Sequence, residues 1–122
     1  MQVKDFSLSD EIAEVLPKPK GYRVLVACPQ IEEKTQGGII IAEDLRKKES
    51  TASIIGFVVD MGSEAYSDLD KFPDGAYCSS GDWVIFRSYS GTRFKISGQE
   101  FRLINDDTVE ATVSDPRSIE RA

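Results

Sequence analysis

Apolar and polar positions along this chain fall into short alternating runs separated by turn residues. From Tyr22 to Cys28 the side chains Tyr22, Val24, Val26 and Cys28 fall on one side and Arg23, Leu25 and Ala27 on the other, which predicts a β-strand. Ile54 to Met61 predicts a second strand, with Ile55, Phe57, Val59 and Met61 facing one way and Gly56 marking a bulge or tight bend. Trp83 to Phe86, Thr92 to Ile96, Phe101 to Ile104 and Val109 to Val113 add further short strands, with turns at Gly81-Asp82, Tyr89-Ser90-Gly91 and Ser97-Gly98-Gln99. A helical pattern occurs near the start, where Ser7 is placed to cap, Asp10 and Glu11 fall in the first turn, and Leu8, Ile12 and Val15 or Leu16 share a face until Pro17 stops it. Short strands, frequent glycine turns and no long helix predict an all-β barrel or sandwich.

One stretch stands apart. Between Glu32 and Thr51 the centre Gly37-Gly38-Ile39-Ile40-Ile41 is flanked by Glu32-Glu33-Lys34-Thr35-Gln36 and by Glu43-Asp44-Leu45-Arg46-Lys47-Lys48-Glu49. Two glycines give a hinge, and three β-branched side chains keep the apolar point extended when it docks. Two readings fit these residues: a recognition arm that orders on a partner, or an ordinary strand after a Gly-Gly turn with a charged loop behind it.

Composition narrows the function. The chain has 122 residues, enough for one domain with its own core. Its formal net charge of −6 argues against a general nucleic-acid or anionic-membrane binder. No apolar run is long enough for a membrane span and the start lacks a signal-peptide pattern, so a soluble, cytoplasmic protein is expected. With 2 cysteines and no histidine, a structural zinc site and the commonest general base are both missing. Cys28 reads as a small buried hydrophobe. Asp68, Asp70 and Asp74 invite a calcium loop, but Phe72 and Pro73 occupy positions that need an oxygen ligand and a glycine, so these acids read as a solvated face.

From Pro19 to Val113 the residues resemble the GroES-like co-chaperonins. The resemblance rests on four segments in order: Pro19-Lys20-Gly21-Tyr22-Arg23-Val24-Leu25-Val26, Gly37-Gly38-Ile39-Ile40-Ile41, Gly56-Phe57-Val58-Val59-Asp60-Met61-Gly62 and Ser80-Gly81-Asp82-Trp83-Val84-Ile85-Phe86. It implies a small irregular β-barrel with a long mobile loop at about 32–51 and a roof hairpin at about 62–80. Met1 to Lys18 is then an N-terminal extension and Ser114 to Ala122 a loose C-terminal tail.

The resemblance further implies a chaperone: an oligomeric lid, a heptamer in this family, that closes the folding chamber of a GroEL-type chaperonin double ring in its ATP-bound state. The chaperonin-binding residues would be Gly37, Gly38, Ile39, Ile40 and Ile41. Subunits would join by pairing the first strand of one with the last strand of the next, which assigns Tyr22, Val24, Val26, Val109, Ala111 and Val113 to the interface. No catalytic residue, metal or cofactor is implied, because ATP is bound by the partner. The arm is longer on its C-terminal side than the common family form and carries Arg46-Lys47-Lys48 there, either a solvated spacer or a contact with acids on the partner's rim. Such departures suit a divergent member, for example a viral one replacing its host's lid. The rival expectation is a structural or adaptor β-barrel, such as a virion or scaffold component, in which Ile39 to Ile41 form a plain strand. Medium-chain alcohol dehydrogenases carry a similar barrel, but their zinc ligands and nucleotide-binding domain have no counterpart here.

Overall fold

The structure is a computed structural model, described here for residues 7–29 and 53–122. Its elements are a short helix α1 (Asp10–Val15) and strands β1 (Arg23–Ala27), β2 (Ile55–Met61), β3 (Trp83–Ile85), β4 (Thr92–Ile96), β5 (Gln99–Asn105) and β6 (Ala111–Val113). The six strands form one sheet in the order β4-β5-β1-β2-β3-β6, and every described pairing is antiparallel. This is the all-β class expected from the alternating runs, in keeping with a small GroES-like barrel.

The sheet is apolar on both faces. On β1 and at the residue after it, Val24, Val26 and Cys28 enter one core cluster while Leu25 and Ala27 enter the other. The alternation of β1 therefore separates two interiors rather than a core from solvent. On β2 the alternation is interrupted, because Leu25 pairs with Asp60 and Val26 with Val58, leaving Val59 as the extra residue of a bulge. Met61 consequently packs with the Val24 cluster, not on the Val59 side as strict alternation predicts. The bulge sits at Val59 and not at Gly56. Gly56 has a different reason: a Cβ there would lie 2.8 Å from Val26 Cβ and 2.9 Å from Phe86 Cε1, so a side chain would collide with the first core.

Residues 62–82 contain no strand, so the expected roof hairpin is not formed by backbone pairing. Turn chemistry rich in Asp, Gly and Pro replaces it, and some of its apolar residues turn inward while Leu69 stays exposed. Tyr66, Phe72 and Cys78 are buried in the first core, and the rings of Tyr66, Phe72 and Tyr77 pack mutually with centroids 4.9, 5.4 and 5.0 Å apart.

The two termini cover the second core. Leu8, Ile12 and Leu16, at α1 and its flanks, pack there, together with Val113 and Ile119. The cap of α1 is Ser9, whose side chain accepts from the Ile12 amide at 3.4 Å, two positions later than the cap expected at Ser7. A helix of 6 residues has little stability by itself, so docking of its apolar face holds it. The C-terminal segment is not a loose tail either: it forms a 3-10 turn over Pro116–Ser118 with Pro116 buried.

Candidate functional site

The expected chaperonin-binding residues Gly37, Gly38, Ile39, Ile40 and Ile41 lie outside the described residues. The arm's two roots are described. The described chain continues past β1 to Pro29 and resumes at Ser53, two residues before β2, and the strands are antiparallel neighbours with Ala27 opposite Phe57. The arm's ends therefore leave one edge of the fold side by side. Both are fixed by backbone hydrogen bonds: the Cys28 amide donates to Glu100 O at 2.9 Å and the Phe86 amide to Ile54 O at 2.9 Å.

Beneath these roots lies Arg102, fully buried on β5. Its Nη1 donates to the Ser88 carbonyl at 2.8 Å and more loosely to the Arg87 carbonyl at 3.4 Å. Its guanidinium stacks 5.0 Å from the Phe86 ring centroid, while Nε and Nη2 are buried with no hydrogen-bond partner among the described residues. Burial lowers its pKa, the expected direction for a desolvated cation. Sequence reading passed over Arg102, although a charge inside the otherwise apolar run Phe101 to Ile104 is the signal that marks it.

Cys28, at the first root, is buried as expected. Burial raises its thiol pKa to about 12, so the group is an inert hydrophobe and not a nucleophile.

The residues assigned to a subunit interface separate into two groups. Val24, Val26 and Val109 are buried in the first core. Moreover, β1 hydrogen-bonds on both sides, to β2 and to β5. Within the chain, both edges of β1 from Arg23 to Ala27 are therefore already used, which leaves Tyr22 as the member of the expected first-strand set that is free of this pairing. The second group is accessible: Tyr22 is 49 % exposed, Ala111 is exposed and Val113 half-buried. β6 is paired to β3 on one side and is an edge of the sheet among the described residues.

Below Tyr22, a cleft of about 430 Å³ is lined by Glu64, Asp68, Lys71, Asp106 and Asp107 among others. Lys71 and Asp107 form an ion pair at 2.6 Å there. Asp68 is engaged locally, accepting from the Asp70 amide at 3.0 Å. Among the described residues no group of three or more His, Cys, Asp or Glu side chains could hold a metal ion, and no helix is long and apolar enough to cross a membrane.

Comparison with known proteins agrees with this architecture. The family model of the chaperonin 10 kDa subunit matches residues 17–113. The Co-chaperonin GroES of Enterococcus faecalis is 33% identical over 100 residues, covering 79% of this chain and 97% of that protein. Those of Caldicellulosiruptor saccharolyticus and Lactobacillus acidophilus are 32% and 35% identical over 98 and 95 residues, covering 97% and 95% of their lengths. With the antiparallel sheet, the paired arm roots and a match from just before β1 to the end of β6, the chain belongs to the chaperonin 10 kDa subunit family, the family of the GroES co-chaperonins.

Proposed function

We propose that this chain is a co-chaperonin that assembles into an oligomeric lid, a ring of seven, and docks on a GroEL-type chaperonin double ring in its ATP-bound state. The observation that carries this reading is the family match over 97 residues, 17 to 113, with GroES relatives aligned over nearly their whole lengths. The lid does no chemistry of its own in this reading; ATP is bound by the partner, and the cytoplasm is where both would meet.

Contact is proposed through Ile39, Ile40 and Ile41, with Gly37 and Gly38 as the hinge before them. Burying three isoleucines contributes roughly 4.5–9 kcal/mol. Ordering a disordered segment takes back on the order of 2–5 kcal/mol. One arm would thus bind weakly and release readily, whereas several on one ring gain by effective concentration. That combination suits a reversible lid. Ring closure is proposed through the free edge of β6 at Ala111 and Val113 with exposed Tyr22, while Val24, Val26 and Val109 support this surface from within the core.

Co-sedimentation with a chaperonin double ring, with and without ATP, tests the reading beside a variant carrying Ser at positions 39, 40 and 41. Binding that requires ATP and is lost in the variant, with the oligomer intact, is the expected result. Failure to bind several chaperonins would overturn it in favour of a structural barrel.

A further inference from the structure

The segment after β6 lies beyond the family match, which ends at residue 113, yet it is built into the fold. Asp115 organises it. Its carboxylate accepts from the Arg117 amide at 3.0 Å and from the Arg117 guanidinium at 2.8 Å, and its carbonyl accepts from Ser118 Oγ at 2.7 Å. Pro116 is buried and Ile119 packs against the second core, so the chain is held against the sheet on its way to Arg121.

There the guanidinium bridges two separate places. Arg121 Nη1 donates to Ser53 Oγ at 3.0 Å and Nη2 to Ser88 Oγ at 3.3 Å. Ser53 is the described root of the arm on its β2 side, and Ser88 belongs to the β3–β4 connection. The carbonyl of the same Ser88 receives Arg102 from within at 2.8 Å. Ile54, next to Ser53, is tied to Phe86 by a 2.9 Å backbone bond. Two arginines thus fix residue 88, one from the interior and one from the surface, and the outer one also takes hold of the arm's root.

Resting on the co-chaperonin reading, we propose that residues 114–122 form a strap that latches the β2-side root of the arm to the β3–β4 connection and thereby strengthens the arm's engagement of the chaperonin. A fixed root removes part of the ordering cost at docking. The gain for each arm is small, because both hydrogen bonds are exposed. In a ring the arms act together, so a change of about twofold in one compounds across all of them.

Amide hydrogen exchange on the free protein tests the latch directly, comparing wild type with Arg121→Ala and with a chain ending at Ser114. Exchange at residues 53–55 and 86–90 is expected to quicken several-fold in both variants. The point substitution leaves Ile119 and Pro116 in place, so it separates loss of the latch from loss of core covering. Unchanged exchange in Arg121→Ala overturns the strap, whether or not the wild type binds a chaperonin. The second arm measures ATP-dependent binding to a double ring: weaker binding by Arg121→Ala is expected, and faster exchange with wild-type affinity overturns the effect on docking. A wild type that binds no double ring would defeat the co-chaperonin reading and with it the effect on docking, leaving the exchange result to decide the latch.

Discussion

The carboxylate of Asp106 accepts the backbone amide of Tyr66 at 3.0 Å, across 40 positions of sequence. The Tyr66 hydroxyl answers by donating to the Asp106 carbonyl at 2.8 Å. The pair ties the excursion 62–82 to the end of β5, and it holds Tyr66 at φ 61°, a left-handed conformation that a tyrosine adopts only under constraint. The other carboxylate oxygen of Asp106 caps the Asp107 amide at 2.8 Å.

Removing this acceptor should loosen the whole excursion. Asp106→Ala leaves the Tyr66 amide buried and unpaired, at a cost of about 1–3 kcal/mol. Urea denaturation checks the size, and near-ultraviolet circular dichroism should show the Tyr66, Phe72 and Tyr77 rings losing their fixed packing. A loss under about 0.5 kcal/mol would mean that the aromatic contacts alone hold the segment.

Gly56→Ala forces a methyl group against Val26 and Phe86, both buried. Overpacking of this kind costs about 1–3 kcal/mol. Combined with Phe86→Leu, the total loss, read from the unfolding midpoint, should fall short of the sum of the two single losses, because the smaller side chain frees part of the space while the Val26 contact remains. Additive losses in the double variant would contradict the steric account.

Arg102→Met tests what a buried cation contributes. The arginine makes hydrogen bonds to two carbonyls but leaves Nε and Nη2 without partners among the described residues, and methionine follows the same path without charge. A buried ion carries a desolvation penalty of several kcal/mol, which an apolar side chain of similar volume removes. An unfolding midpoint equal to or above wild type is therefore expected. A drop of more than about 2 kcal/mol would show that the carbonyl bonds outweigh desolvation.

Cys28 makes stability fall in alkali. Its folded pKa is raised, mainly by burial, from 9.0 to about 12, so the folded chain retains the proton that the unfolded chain loses in that range. The contribution is fully present below pH 9.0 and is lost as pH rises towards about 12. Cys28→Ala should flatten this part of the stability profile, and native Cys28 should resist iodoacetamide at pH 8 while the urea-unfolded chain reacts at once. Rapid alkylation of the native thiol would refute the burial.

The β-class of the chain and the places of its strands were legible from the sequence, because alternation of side chains and the chemistry of glycine and proline turns act over a few residues. Gly37 to Ile41 stood out for the same local reason. What local chemistry could not decide was which edges and faces the fold consumes. β1 alternates as a half-exposed strand would, yet both its faces are buried and both its edges are paired. Only the packed chain brings Asp106 to Tyr66, places the Val59 bulge opposite β1, draws the excursion inward without strands, and lays the C-terminal segment across the second core to bring Arg121 to Ser53. Each of these is a contact between residues distant in sequence, whose free energy depends on burial and hydrogen-bond satisfaction in the assembled core.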